Sequence, residues 1–176
     1  FGLTAESDND DISISESTFS GHELGAQLFS PNNSIYKCVF ENSYTAIATN
    51  NSTLNVENTL FNNNDWAIET IGAQANINHS TIYGCDFTAL NGAGGSMNLK
   101  NSIIYNVANT FASNANPTQY YSEYSLIEDG YFGNVDPGPG NLSGNPLFID
   151  AENGDFRLSP YSPAIGAGTL TGAPTT

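Results

Sequence analysis

"VENTLFNNNDWAIET" (Val56–Thr70) reads as a short strand, an asparagine turn and a second strand. Close cousins flank it: "IYKCVFENSYTAIAT" (Ile35–Thr49) upstream and "INHSTIYGCDFTALN" (Ile77–Asn91) downstream. Aligned on their aliphatic residue, Ile14, Ile35, Val56, Ile77 and Leu99 are separated by 21, 21, 21 and 22 residues. An aromatic column, Phe19, Phe40, Phe61, Tyr83 and Tyr105, advances by 21, 21, 22 and 22. A third, Ala26, Ile47, Ile68 and Ala89, advances by 21 each time. Three columns with one period are the mark of a solenoid.

The local pattern decides the kind of solenoid. "DISIS", "STLNVEN" and "GSMNLKN" alternate apolar and polar residues, the period of a strand. Ser, Thr and Asn fill the intervals where helix formers would stand. Short strands and turns returning every 21–22 residues build a coil with three sheet faces. Successive coils stack at about 4.8 Å, so residues one period apart lie over one another. The expected fold is therefore all-β, a single-stranded right-handed parallel β-helix, since parallel crossovers are right-handed. Val56 and Ile68 are expected to face the core, Phe61 to join an inward aromatic stack, and Asn62, Asn63 and Asn64 to form a turn, because Asn tolerates left-handed backbone.

Composition agrees. The hydrophobic fraction is 39%, below the globular average of about 45–50%. The 24 Asn and 17 Gly favour tight turns over long helices. With 3 Lys and Arg against 18 Asp and Glu, the net charge is -15. Nucleic acid and anionic membranes are unsuitable partners for such a surface. No apolar run approaches the roughly 18 residues of a membrane span, so direct membrane insertion is not expected. No signal peptide is visible at Phe1.

The 176 residues suffice for one domain, with β-helix coils over 1–111 and irregular final coils plus a closing segment over 112–176. "FGLTAES" resembles the second half of a rung, like "LGAQLFS" (Leu24–Ser30), so the chain is expected to start in mid-coil. Past Phe111 the period loosens, and "YYSEYSLIEDG" (Tyr120–Gly130) offers one more strand before the Gly/Pro loop "GYFGNVDPGPGNLSGN". Asn153-Gly154 suits a tight turn between "LFIDA" and "DFRL". The stretch "NPLFIDAENGDFRLSPYSPAIGAG" (Asn145–Gly168) resembles the closing segment of bacterial surface proteins with right-handed, pectate-lyase-like β-helix repeats, the choice-of-anchor Q type. That resemblance implies an extracellular surface protein whose chain continues past "TGAPTT". It specifies no catalytic residue.

Candidate chemistry is sparse. A lyase base would come from Lys37, Lys100 or Arg157. Lys37 stands one period from Glu16 and suits a stacked ion pair. Lys100 ends a strand and suits solvent. Arg157 stands near Asp155 and suits a structural pair. A hydrolase needs paired carboxylates about 5–9 Å apart. Asp65 and Asp86, 21 apart, are expected to stack at a turn, where they would cap turn amides, recruit Ca2+, or act as acid and base. Trp66 and Phe87 beside them would form a sugar platform or pack beneath a loop. "ESDNDD" (Glu6–Asp11) gathers four carboxylates, and Asp8, Asp10 and Asp11 are candidate Ca2+ ligands, although the spacing matches no calcium loop. His22 and His79 fall in different columns. Cys38 shares a small-residue column with Ser17, Thr59 and Ser80, Cys85 lies in another, and no disulfide is expected. Asn32, Asn50, Asn78 and Asn141 begin N-x-S/T sequons.

These features favour a non-enzymatic extracellular or cell-surface β-helix module of bacterial or archaeal origin, with a structural, adhesive or filament-forming role. Its expected partners are neighbouring copies or other surface proteins at the solenoid ends, or a polysaccharide. The alternative is a polysaccharide-active lyase or hydrolase, or a carbohydrate-binding β-helix.

Overall fold

The computed structural model describes residues 2–8, 10–113, 116–130 and 135–171. It is a right-handed parallel β-solenoid with three stacked sheets. One coil illustrates the rest. Thr45–Asn50 lies in the first sheet, Thr53–Glu57 in the second and Leu60–Asn62 in the third. Among the described residues the sheets hold six, seven and seven strands, each paired in parallel with its equivalent one coil away. The ladder pairings run on through Gln119–Glu123, Leu126–Ile127, Val135–Pro137 and Leu142–Ser143.

The core is made of columns. Ile14, Ile35, Val56, Ile77 and Leu99 occupy one register, and the last four are at most 1% exposed. Phe19, Phe40 and Phe61 stack nearly parallel, with centroids 4.7 and 5.5 Å apart. Here the expected aromatic column is corrected. Phe61 pairs with Ile82, and Ile82 with Ile104; Tyr83 pairs with Asn62 and Tyr105. Strand alternation then turns Tyr83 and Tyr105 to the outer face. The third column slips in the same coil, since Ile68 pairs with Leu90 and not Ala89. The cause is a one-residue insertion located at Phe87. The Asp65 carbonyl accepts both the Phe87 and the Thr88 N–H, at 3.0 and 3.2 Å. Two residues there face one, which is a β-bulge.

The corner between second and third sheets uses one left-handed residue per coil: Glu16, Lys37, Asn58, His79, Asn101 and Tyr124, with φ between 49° and 52°. The next residue is Ser17, Cys38, Thr59, Ser80, Ser102 or Ser125. Its side chain donates to the carbonyl two residues back, as in Ser80 Oγ to Asn78 O at 2.8 Å. From Thr59 on, it also accepts the backbone N–H of its equivalent in the preceding coil: Cys38 to Thr59, Thr59 to Ser80, Ser80 to Ser102, Ser102 to Ser125. Asn141 Oδ1 takes the N–H of Ser125 at 3.1 Å. The column of small residues is thus a ladder that satisfies buried corner amides. At the corner between third and first sheets only Asn63 of the asparagine triplet is left-handed; Asn62 ends a strand, and Asn64 is buried, bonding Phe40 O and the Ser43 N–H.

Phe148–Asp150 and Asp155–Leu158 form an antiparallel hairpin, joined by a 3-10 turn and Gly154 at φ 83°. It covers the outward tyrosines: Phe156 meets Tyr83 at 5.3 Å and Phe148 meets Tyr105 at 6.5 Å. Asn101 ties down the following segment, exchanging two hydrogen bonds with the Thr169 backbone. The closing segment therefore packs on the third sheet's face.

Phe61 is fully buried and touches Phe40. Phe61→Ala is expected to cost about 3–5 kcal/mol, read as a lowered urea midpoint with an unchanged slope.

Candidate functional site

The sequence candidates meet at the entrance to the first sheet. The Asp65 N–H bonds Ser43 O at 3.0 Å, and the Asp86 N–H bonds Asn64 O at 3.3 Å. This pattern sets Asp86 one coil above Asp65. Asp65 is half-buried and Asp86 exposed. Neither carboxylate caps a turn amide among the described residues, so both are left to solvent or a ligand. The Trp66 and Phe87 rings stack at 5.6 Å with 26° between their planes. Tyr44, which sequence reasoning passed over, extends this row and meets Phe87 edge-on at 6.5 Å. Tyr44 is 53% and Phe87 47% exposed, so the row is a surface feature and not loop packing.

Below the row lies a shallow groove of about 410 Å³ along the first sheet, bordered by Glu23, Gln27, Tyr44 and Glu69. Glu69 is held by Thr45 Oγ1 at 3.1 Å and Asn91 Nδ2 at 2.9 Å. Beside Asp86 an open polar groove of about 480 Å³ includes Glu128 and Asp129. Glu128 caps the Asn106 N–H at 2.7 Å. Their ladder neighbours are other residue types, Ala48 and Asn91 beside Glu69 and Tyr105 beside Glu128, so no periodic signal marks them.

Asp8, Asp10 and Asp11 are exposed on the first coil. Asp11 Oδ1 accepts from Asn32 Nδ2 at 2.9 Å, and the Asp10 N–H bonds Ser7 Oγ at 2.9 Å. Among the described residues no three His, Cys, Asp or Glu side chains group as metal ligands. The structure brings Asp65, Trp66, Asp86 and Phe87 together and leaves the first-coil aspartates apart.

The cations are engaged. Lys100, on the outward face as expected, places its Nζ 2.7 Å from Glu123. Arg157 forks onto Asp155 at 2.6 and 2.8 Å, holding that carboxyl down at about 2. The ion pair expected between Lys37 and Glu16 is not formed. Lys37 Nζ instead stands 4.9 Å from the Tyr36 ring centroid. Cys38 and Cys85 are free and buried. Burial pushes the Cys85 thiol up to about 12.

No protein-family model matches the chain, no curated protein matches it, and no solved structure matches it.

The Cys85 shift has a measurable consequence. A thiol raised from its ordinary value near 9 to about 12 favours the folded state. That stability is complete below the unfolded value and is lost as pH climbs through the window, at about 1.4 kcal/mol per pH unit. Urea midpoints between pH 9 and 11 are therefore expected to fall more steeply for the native chain than for Cys85→Ala; parallel slopes would refute the shift.

Proposed function

We propose that this chain is a non-enzymatic, extracellular β-solenoid module of a bacterial or archaeal surface protein, akin to the choice-of-anchor Q type, and that its role is adhesive. The observation that carries the reading is the row in which exposed Tyr44 and Phe87 flank half-buried Trp66 at the edge of the first sheet. Aromatic side chains left in water as a contiguous patch mark an interaction surface. They supply contact area at a low cost in rotamer entropy. Asp65 and Asp86 border the row, so hydrogen-bond acceptors lie beside the stacking surface. The packing of Phe148 and Phe156 on the third sheet supports the family reading, since it makes the "NPLFIDAENGDFRL" segment a structural closure.

A structural role is compatible with the same fold. Leu3–Ala5, Ile12–Ser15 and Thr18–Ser20 are the edge strands of the first coil, and Ile14 and Phe19 are only partly buried there.

The adhesive reading is tested by the adsorption of purified protein to immobilised cell-wall polysaccharides and whole cells. The double variant Tyr44→Ala, Phe87→Ala is expected to bind at least tenfold more weakly with an unchanged melting temperature. Undiminished adsorption would reject the row as the contact surface.

A second reading rests on the placement of Asp65 and Asp86 one coil apart beside the row. The pair would then serve a polysaccharide-active site or hold Ca2+ against the substrate. Depolymerisation of acidic or neutral glycans, abolished by Asp86→Asn with the fold intact, would favour it over adhesion. Calcium itself is tested by melting. Bound only by the folded state, it adds about 2.7 kcal/mol at a hundredfold excess over Kd. The melting temperature is expected to be higher in millimolar CaCl2 than in NaCl of equal ionic strength, and Asp86→Asn is expected to remove the difference. Superimposable curves for the native chain would dismiss calcium.

A further inference from the structure

The outer face of the second sheet carries a different arrangement. Asn55, Asn76 and Asn98 occupy one outward column. Asn98 Nδ2 donates to Asn76 Oδ1 at 2.9 Å, and Asn76 Nδ2 donates to Asn55 Oδ1 at 2.9 Å. The column continues into Tyr121, which pairs with Asn98 and is 39% exposed. Its hydroxyl is held by Gln119 Oε1 at 3.0 Å. Lys100 and Glu123, paired at 2.7 Å, flank it. The three asparagines, Lys100, Tyr121 and Glu123 line a groove of about 520 Å³, within the range of about 300–1,000 Å³ usual for ligand sites.

We propose that this groove binds a neutral glycan chain, independently of the aromatic row on the first sheet. Each amide has two N–H donors and an oxygen with two acceptor positions. Forming the ladder uses one donor of Asn76 and one of Asn98, so parallel donors and acceptors remain, repeating at about 4.8 Å. Sugar hydroxyls both donate and accept, and such an array can meet both functions along a chain. The Tyr121 ring, standing at the end of the ladder, offers an apolar face for the C–H face of a sugar ring. The ladder fixes its amides before any ligand arrives, so little side-chain entropy is lost on binding.

Charge selects the class of glycan. Glu123 compensates Lys100, and Asp136 adds an exposed carboxylate to the groove wall. The chain as a whole carries -15. A uronate, sulfated or phosphorylated polymer would find repulsion there and no unpaired cation. An extended peptide is less suited, because the column of amides presents no alternating apolar pockets. The inference goes beyond the adhesive reading and uses a separate face.

The test is calorimetric titration of the whole chain with hexasaccharides of glucose, mannose, xylose and N-acetylglucosamine, and with hexagalacturonate. At least one neutral hexasaccharide is expected to bind at least tenfold more tightly than hexagalacturonate. Tyr121→Ala and Asn98→Ala are each expected to weaken it at least tenfold. Amide-proton NMR of the native chain covers the case of a misfolded variant, as the side-chain NH2 signals of Asn55, Asn76 and Asn98 are expected to shift. Preference for hexagalacturonate, or still side-chain signals, would overturn the groove. Neutral-sugar binding lost only with Phe87→Ala would overturn it and leave the adhesive reading standing. Cell adsorption without any hexasaccharide binding would likewise reject the groove alone. Failure of both assays would reject both.

Discussion

Each coil hands its backbone hydrogen bonds to the next, and this obligation governs the molecule. A strand of two to six residues has no partner within its own turn, so its N–H and C=O groups are satisfied only by the equivalent strand one coil away. Equivalent residues must then stand about 4.8 Å apart. A side chain that suits the interior in one coil must suit its own neighbour in the next. That is why Phe19, Phe40 and Phe61 lie face to face, and why Ile35, Val56 and Ile77 share one column. The corners obey the same rule. Their left-handed residues recur at one position, and from Thr59 on the hydroxyl after each of them serves the coil before it.

This constraint makes the fold legible in the chain. The column through Ile14 and Leu99 follows the residue period in the structure because the second sheet stays in step across those coils. The column Ser17, Cys38, Thr59 and Ser80 is visible as a run of small residues; its hydrogen bonds are not, because spacing alone does not show that a corner amide needs a partner. The misread columns have one source. Matching Phe61 to Tyr83 on aromatic character places an insertion before Tyr83, whereas the backbone takes its extra residue later, at Phe87. Tyr83 and Tyr105 therefore look like core residues and are outward ones. The hairpin that buries their rings is distant in sequence, and no local period announces the contact.

The candidate sites divide along the same line. Asp65 with Asp86, and Trp66 with Phe87, are legible because each pair is 21 residues apart, the local coil length up to the bulge. Tyr44 stands one coil down in the register of Asp65 and Asp86, not of Trp66, so no aromatic period marks it. Glu69 and Glu128 break their columns, and the Asn55–Asn76–Asn98 ladder reads as ordinary turn-rich composition until strand alternation assigns its direction. In a solenoid the interior positions are committed to repetition. Recognition is left to outward columns, where a run of like residues becomes a linear array of like groups.

The bulge at Phe87 shows how such a fold acquires a feature its period would forbid. With strict repetition, the residue over Trp66 would continue the ladder. Here Thr88 takes that paired place and is 3% exposed, while both its N–H and that of Phe87 share the Asp65 carbonyl. Phe87 is freed from the ladder, splays to 47% exposure and lays its ring on Trp66. One extra residue thus re-aims a side chain without opening the core, because the coils beyond it simply resume at the new offset: Gln74 pairs with Ser96, Thr81 with Ile103. The cost is confined to one shared acceptor, and the gain is an aromatic surface that no regular coil would present. The irregular step in the period and the candidate site coincide because the first creates the second.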